Sequence, residues 1–282
     1  MTLNSGSSHN AFYIEKDITE WYQDGSLWNR IAGINGYDEF EGVFPGCYFD
    51  MSRKVKASAS DGGSREGDER LIILGCNSLM YQGRLDSGDT QDLNHGIVYK
   101  IDFNHIVVCP RTIFGEAIYN PSDNDNTSYF QSHLNNDILG AVTTTGNIGG
   151  TINEQLYAEF DNHLKAFKKF HIQSLDKTIY NPRTGSNVVG KYTQRTLVQS
   201  ILFSEVELYG HTSFSLYGRE TSSDRGIFPA FIHNPSVAAN NYYYYTRDTG
   251  TLTQCVNSDK ACGVTLGAIG DKSGIRPYFV LA

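Results

Sequence analysis

The last third of the sequence constrains the fold most strongly, because it alternates short apolar segments with turns. After residue 210 the chain includes "GIFPAFIHN", "NYYYYTRDTG", "ACGVTLGAIG" and the closing "GIRPYFVLA". Short runs of aromatic and β-branched residues bounded by glycine are typical of strands joined by tight turns. In the closing segment we expect Gly274 to form a turn and the apolar residues after the Arg-Pro pair to form a last strand that enters the core.

The middle of the chain has the spacing of amphipathic helices. Residues 128–139 form the weaker of two such patterns. In the stronger one, apolar residues recur at spacings of four, four, four and three: Ile152, Leu156, Phe160, Leu164 and Phe167. This spacing predicts a helix, and Thr151 with Glu154 three residues later matches a capping box. We therefore predict two middle helices, with the lysines of "KAFKKF", residues 165–170, on the solvated face of the second.

Composition and organisation indicate a single α+β domain. The chain has 282 residues, with 28 glycines and 18 tyrosines, and it contains neither a tandem repeat nor a clear linker. Many turns and many half-buried aromatic residues favour short strands and ordered loops over a helical bundle. We predict one domain over residues 1–282, a mainly antiparallel closing sheet over 200–282 and, in the polar "KASASDGGSREGDE", an exposed loop over 56–69.

Charge and hydropathy exclude two classes of partner. The sequence has 23 Lys and Arg against 31 Asp and Glu, a net charge of −8, whereas a protein that binds nucleic acid without sequence preference needs a basic face. No apolar run reaches the roughly 18 residues that span a bilayer. The opening "MTLNSGSSHNAFY" lacks the basic and apolar regions of a secretory signal. We therefore expect no nucleic-acid partner, no membrane insertion, and synthesis in the cytoplasm.

Motifs for cofactors and metals are missing from the sequence. It contains no phosphate-binding glycine loop and no nucleophile elbow. Its histidines do not follow the spacing of zinc ligands, and the run "DNDN" at 123–126 lacks the glycine and the distal glutamate of an EF-hand loop. We expect neither a cofactor nor a bound metal.

A pair of carboxylates is the first candidate for chemistry. In "SEVELYG", Glu205 and Glu207 would share one face of a strand and could act as general acid and base, as in a carbohydrate-active enzyme. The interpretation that we favour is structural. In it, one of the two glutamates accepts hydrogen bonds from Arg247 or Arg276, as a buried charge must.

The cysteines are the second candidate. The sequence has five of them, an odd number without a CxxC pair, which argues against a disulfide framework. Cys255 and Cys262 are the closest in sequence and could bridge a hairpin or serve a thiol-based enzyme. The interpretation that we favour is that the cysteines are buried free thiols.

The run "NNYYYYTRD" is the best candidate for recognition. On a strand, Tyr243 and Tyr245 would face one side, and Tyr242 and Tyr244 the other. One pair should lie in the core. The other could stack on a sugar or bury against a neighbouring subunit, because tyrosine combines a large ring with a polar tip. Tyr243 and Tyr245 are the candidate ligand- or interface-binding residues, and plain sheet packing of both pairs is the interpretation that we favour.

Several of these segments resemble a widespread uncharacterised domain of prophage virion proteins and of surface proteins of gut Gram-positive bacteria. The similar segments are "ILFSEVELYG" (201–210), "YYYYTRDTG" (242–250) and the closing "GIRPYFVLA". They match a Ser-Glu-x-Glu segment, an aromatic-x-Arg strand and a Gly-[IV]-Arg-Pro-x-Phe strand. The N-terminal "DGSLWNRIAGINGYDEFEGVFPGCYFDM" is similar to the segment that opens the phage versions. A tryptophan of the second motif is replaced by tyrosine here.

This resemblance implies a C-type-lectin-like fold and a non-enzymatic bacteriophage virion protein. Such a protein works on the particle surface, as a capsid decoration, head fibre or tail protein. It binds other virion proteins and copies of itself, with a trimer as the expected homo-oligomer, and host receptor binding through a surface glycan is allowed. Because the fibre versions have an N-terminal stem that is missing here, a knob or decoration is favoured. A bacterial surface adhesin is the further alternative, disfavoured by the missing export signal.

Overall fold

The computed structural model describes most of the chain, in segments. These are residues 8–57, 67–79, 81–86, 96–100, 103–121, 129, 132–140, 151–181, 186–210, 226–239, 242–251, 254–258 and 263–282. Within them, only the backbone is described at residues 81–86, 96–100, 151, 168–181, 186–197, 249–251 and 254–257. Residues 58–66 of the predicted loop over 56–69, and the run at 123–126, lie outside the described residues.

The helices of the described residues are short. They are α1 (Thr19–Gln23), α2 (Ser26–Ala32), a π-helix (Leu134–Gly140), α3 (Thr151–Phe160), α4 (Glu205–Tyr209) and α5 (Pro229–His233), with 3₁₀ turns at Asp161–His163 and Pro235–Val237. None of these described helices has the length and apolar character needed to cross a bilayer.

The strands carry most of the architecture. They are β1 (Tyr48–Asp50), β2 (Arg70–Cys76), β3 (Tyr81–Asp86), β4 (Gly96–Lys100), β5 (Ile106–Pro110), β6 (Glu116–Ile118), β7 (Leu164–Lys165), β8 (Phe167–Asn181), β9 (Ser186–Val198), β10 (Ser200–Leu202), β11 (Tyr244–Thr251), β12 (Gln254–Ser258), β13 (Val264–Ala268), β14 (Lys272–Gly274) and β15 (Pro277–Leu281). The mixture of helices and largely antiparallel sheets confirms the predicted α+β class.

The larger sheet is built around β15. Its order is β1-β2-β5-β15-β10, with β7 also beside β15, and its pairs are antiparallel. One edge of β15 pairs with β5. The other edge is shared by two short strands, β10 along residues 277–279 and β7 along residues 280–281. All five residues of β15 are buried, so the closing segment lies inside a sheet, as its apolar character predicts.

The second sheet has the order β13-β12-β11-β14-β6. Its pairs are antiparallel except for β11 with β14, which are parallel. The strands after residue 200 are divided between the two sheets, and each sheet also contains strands from the first 120 residues. Residues 200–282 therefore do not form a closing sheet of their own. Long-range pairing joins the two halves of the chain instead.

Two further hairpins complete the strand inventory of the described residues. β3 pairs with β4, and β8 pairs with β9 from Phe167↔Val198 to Asn181↔Ser186, with a register shift between Ser174 and Thr178. β8 also contacts β3. We call the β8–β9 pair the ribbon. The "KAFKKF" segment, predicted as a helix face, lies in β7 and at the start of this ribbon.

The helix predicted from the stronger pattern is too long. α3 ends at Phe160, and the last two residues of the apolar stripe, Leu164 and Phe167, lie in strands. Asp161 adopts a left-handed backbone with φ of 46°, a conformation that ends a helix. All five stripe residues are nevertheless buried. The pattern identified core positions correctly, because the strands that follow α3 also bury their apolar residues in the core.

The weaker helical pattern and one strand prediction also need correction. Of residues 128–139, the helical part among those described begins only at Leu134, in the π-helix. "GIFPAFIHN" was predicted as a strand, yet it contains α5. Pro229 stands at the first position of that helix, where its fixed φ and missing N–H are favourable. The proline is thus a helix start rather than a strand interruption.

The N-terminal segment is tied to α3 by one carboxylate. Glu159 accepts hydrogen bonds from the Tyr22 hydroxyl at 2.5 Å, from the Ser52 N–H at 2.6 Å and from Arg53 Nε at 3.2 Å. The Trp28 ring stacks on His163 with centroids 3.9 Å apart. Buried apolar residues from this segment belong to the same core as those of both sheets. The two ends of the described chain therefore contribute to one core.

Gly274 lies in a strand, not in a turn. Its N–H donates to the Tyr243 carbonyl at 2.8 Å, in β14. A Cβ at this position would lie 2.7 Å from the Tyr243 oxygen and 2.8 Å from Ile113 Cγ2. Glycine is required here because backbone and side chain approach too closely for any other residue.

Replacing Gly274 by alanine should therefore destabilise the protein, by about 1–3 kcal/mol, because the added methyl group overpacks the site. The matched control is Gly270→Ala, where nothing lies within 4 Å of the new Cβ. That substitution should change stability by less than about 0.5 kcal/mol. Urea unfolding followed by intrinsic fluorescence measures both. Equal losses in the two variants would contradict the close approach.

Candidate functional site

The two candidate glutamates lie on a helix. Glu205 and Glu207 are in α4, not on a strand as predicted. Ser204 Oγ accepts from the Glu207 N–H at 3.2 Å, while Glu207 Oε2 accepts from the Ser204 N–H at 3.0 Å. This reciprocal pair is a capping box. The signal was present in the sequence, since serine followed three residues later by glutamate is its signature, but the neighbouring apolar residues suggested a strand.

Glu207 is the centre of a buried polar cluster. Its Oε2 accepts from Arg247 NH1 at 2.6 Å, and its Oε1 accepts from the Tyr278 hydroxyl at 2.7 Å. Arg247 NH1 also donates to the Leu202 carbonyl at 2.6 Å. The side chains of Arg247 and Glu207 are 0% and 2% exposed. We call Ser204, Glu207, Arg247 and Tyr278 the Glu207 cluster. A glutamate of this segment is thus paired with Arg247, one of the two arginines named from the sequence.

Aromatic rings enclose the Glu207 cluster. The Tyr278 ring has its centroid 5.1 Å from those of Phe203 and Phe228, and 5.9 Å from that of Phe167. This apolar shell excludes water, so the ion pair is strong but depends on both partners being present. Its position between α4, β11 and β15 makes it a structural connection among three segments.

Glu205 is buried separately from the carboxylate of Glu207. Its side chain is 0% exposed, and its N–H donates to Asp248 Oδ2 at 2.5 Å. On a helix, residues two apart point roughly 200° away from each other. The two carboxylates therefore do not share a face as they would on a strand, and the geometry for paired acid–base action is missing.

Arg276 is buried, and no carboxylate of the described residues pairs with it. Among the described residues, its partners are three backbone carbonyls and a phenol. Its nitrogens donate to the carbonyls of Pro110, Ala238 and Arg111 at 3.1–3.2 Å and to the Tyr244 hydroxyl at 3.5 Å. The predicted acidic partner is thus wrong. Carbonyl dipoles surround the guanidinium instead, and they tie β15 to the end of β5.

The tyrosine run does not divide as the alternation predicted. Tyr244 and Tyr245 are both fully buried, whereas Tyr243 is 50% exposed. β11 begins at Tyr244, and both of its faces are covered: the Tyr244 ring lies 5.3 Å from the Arg276 guanidinium, and the Tyr245 ring lies 5.6 Å from that of Tyr119. The prediction that Tyr243 and Tyr245 share a face was wrong, because Tyr243 precedes the strand. Only Tyr243 of the two remains available at the surface.

The cysteines with described side chains are buried thiols. Cys47, Cys76 and Cys109 are free and buried, and burial raises the pKa of each; that of Cys109 rises to about 11. Such thiols stay protonated and unreactive at neutral pH. The side chain of Cys255, and all of Cys262, lie outside the described residues.

The histidines whose side chains the structure describes lie in separate places. His133 lies 2.7 Å from Asp137 and His233 Nε2 lies 2.9 Å from the Asn10 carbonyl, while His163 stacks on Trp28. Across the described part of the chain, no three His, Cys, Asp or Glu residues are placed so that they could hold a metal ion. Each of these histidines belongs to a separate local contact.

His105 is fully buried, unlike the other histidines whose side chains are described. The Leu79 N–H donates to its Nε2 at 3.3 Å, so Nδ1 carries the hydrogen and donates to the Phe103 carbonyl at 3.1 Å. Burial lowers the pKa of this imidazole to about 4. The sequence did not single out His105, since an isolated histidine beside an apolar strand has no distinguishing spacing.

Comparison with known proteins identifies no relative. No family model matches the sequence, and no curated protein or solved structure matches the chain. The function must therefore be inferred from the geometry of the molecule together with the resemblance of its motifs.

Removing the charge of Glu207 should strongly destabilise the protein. Glu207→Gln leaves the Arg247 guanidinium without its buried counter-charge, which costs about 3–5 kcal/mol. The matched control, Glu20→Gln, makes the same change at an exposed position of α1 and should cost less than about 0.5 kcal/mol. Chemical denaturation of both variants gives the comparison. A loss for Glu207→Gln no larger than that of the control would show that the ion pair is dispensable.

Stability should also decrease with acidification through His105. The imidazole has a pKa of about 4 in the folded state, against 6.5 ordinarily. The unfolded chain therefore binds a proton between these values that the folded chain does not, and stability falls as pH drops from about 6.5 towards 4. The loss is up to about 3 kcal/mol.

The measurement compares the wild type with His105→Gln, whose amide can keep both hydrogen bonds without titrating. Subtracting the two pH profiles of unfolding free energy removes the contribution of the carboxyl groups. A difference that stays constant across this pH window would contradict the assignment.

Proposed function

We propose that this protein is a non-enzymatic structural component of a bacteriophage particle, displayed as a capsid decoration or head fibre or on the tail. One observation carries the proposal: the motifs that resemble phage virion proteins meet in the Glu207 cluster. Ser204 and Glu207 come from the Ser-Glu-x-Glu segment, Arg247 from the aromatic-x-Arg strand and Tyr278 from the closing strand. The motif residues are buried against one another, as expected of a folding signature.

The geometry of the candidate glutamate pair supports this proposal over an enzyme that uses these two carboxylates. Glu205 and Glu207 are buried, and Glu207 has both oxygens engaged by protein donors. A general acid or base must reach its substrate within hydrogen-bond distance. The observed positions of these two glutamates favour a role in stability.

The finer fold belongs to the same proposal. We infer a C-type-lectin-like arrangement from the resemblance of the closing strands. The support is that β15, the strand of the Gly-Ile-Arg-Pro-x-Phe motif, lies inside the larger sheet beside strands from the first half of the chain. In such a domain the particle would be contacted through an oligomeric surface, with a trimer as the expected state. Tyr243, half exposed, is the candidate for contact with a subunit or a host-surface glycan.

Mass spectrometry of purified particles tests the proposal. Particles produced by a strain that carries the gene should contain this protein in many copies, at a constant ratio to the major capsid protein through successive density gradients. A non-structural phage protein serves as the control for carry-over and should decline with each gradient. Absence from the particles, or decline in parallel with the control, would refute the virion assignment.

A further inference from the structure

The ribbon is the most basic part of an acidic chain. Residues 167–198 contain six Lys and Arg and one acidic residue, a net charge of +5, whereas the whole chain carries −8. The other 250 residues therefore carry −13. The counted residues run from the first residue of β8 to the last residue of β9, so the positive charge belongs to the ribbon.

The ribbon leaves the larger sheet at a fixed point. It is the stretch of chain between β7 and β10, which pair with the same edge of β15. At its base Phe167 and Val198 are each 3% exposed, so the core holds the first cross-strand pair. β8 and β9 have 15 and 13 residues, and strands of that length span about 40–50 Å. β8 also contacts β3. Because two strands on their own are marginally stable in water, a further partner along the length of the ribbon is favoured.

The register of the ribbon places cations and apolar residues on one face. Directly opposed residues of an antiparallel pair share a face, and successive residues alternate between faces. On the face that Phe167 does not share, the opposed pairs are Lys168↔Leu197, Phe170↔Arg195, Ile172↔Thr193 and Ser174↔Lys191. This face has three cations and three apolar residues.

The N-terminal segment has a net charge opposite in sign to that of the ribbon. Residues 8–50 contain eight Asp and Glu against two Lys and Arg, a net charge of −6. The two cations, Lys16 and Arg30, both lie over the Trp21 ring, at 4.0 and 3.9 Å. Two of the acids are in ion pairs, Glu41 with Arg30 at 3.3 Å and Asp50 with Arg70 at 2.7 Å. Exposed apolar side chains accompany the acidic ones, with Phe12 58% and Ile34 51% exposed. The segment therefore offers negative charge and apolar surface together.

We propose that the ribbon is an arm that binds the acidic N-terminal segment, residues 8–50, of a second copy of this chain. Opposite charges steer the two surfaces together and set their orientation, and the apolar residues on each supply the area that leaves water. Nucleic acid is the other polyanion that a basic ribbon could bind. The −13 on the remainder of the chain opposes it, because that charge repels phosphates. The proposal concerns self-association and holds wherever the protein works.

Light scattering of the full-length chain after size exclusion tests the arm. The ribbon variant is Lys168→Glu with Arg195→Glu, two residues of the proposed face. Its matched control, Lys54→Glu with Lys272→Glu, changes the net charge equally at exposed positions outside the ribbon. We expect the wild type and the control to form the same oligomer, weakened as salt rises from about 50 to about 500 mM. The ribbon variant should dissociate with a Kd raised about tenfold or more, with an unchanged circular dichroism spectrum.

A charge swap identifies the surface that the arm binds. Adding Glu20→Lys and Asp24→Lys to the ribbon variant reverses both partners, so association should return. A monomeric wild type, a ribbon variant that associates like the control, or failure of the swap would each overturn the proposal. If the wild type binds an oligonucleotide and the ribbon variant loses that binding without a change in oligomer, the partner is nucleic acid and the proposal is wrong. A monomer would leave the virion assignment intact, because copy number in particles is measured separately.

Discussion

The buried ion pair between Glu207 and Arg247 organises this fold. It joins residues 40 positions apart in the sequence, and Tyr278 adds the closing strand to the same carboxylate. Each charge is tolerated in the apolar interior only because the other is present. The capping box at Ser204 determines where α4 begins and so places the carboxylate. Three segments from two sheets and one helix are therefore aligned by a single side chain.

The central position of β15 follows from the same arrangement. Arg276 is held by carbonyls at the end of β5, while Tyr278 reaches the Glu207 cluster, so the strand is fixed from two directions. β7 and β10 then share the edge that faces away from β5. Because the ribbon connects those two short strands, its base is held by the most strongly determined part of the core. The rest of the ribbon differs from the remainder of the chain in its positive net charge.

The motif residues illustrate why short sequence patterns predict burial better than function. Glutamate pairs, arginines and tyrosines are the residues of active sites and binding surfaces. Here Glu207 accepts hydrogen bonds from Arg247 and Tyr278 in the interior, and a buried carboxylate requires such donors. The surface properties that could bind a partner lie elsewhere, in the charge difference between the ribbon and residues 8–50. The charge difference can be counted from the sequence, but only the pairing of β8 with β9 places the cations together on one structural element.

The α+β class, the buried closing strand and the apolar stripe whose residues all reach the core follow from the sequence alone, because period and composition record which positions leave water. The sequence also contained the capping signal at Ser204. Contacts between distant segments were needed to show that α3 stops at Phe160, that Arg276 is surrounded by carbonyls and that Tyr245 is buried while Tyr243 is exposed. These outcomes depend on which distant segment covers each face and satisfies each polar group, and local spacing carries no information about long-range pairing.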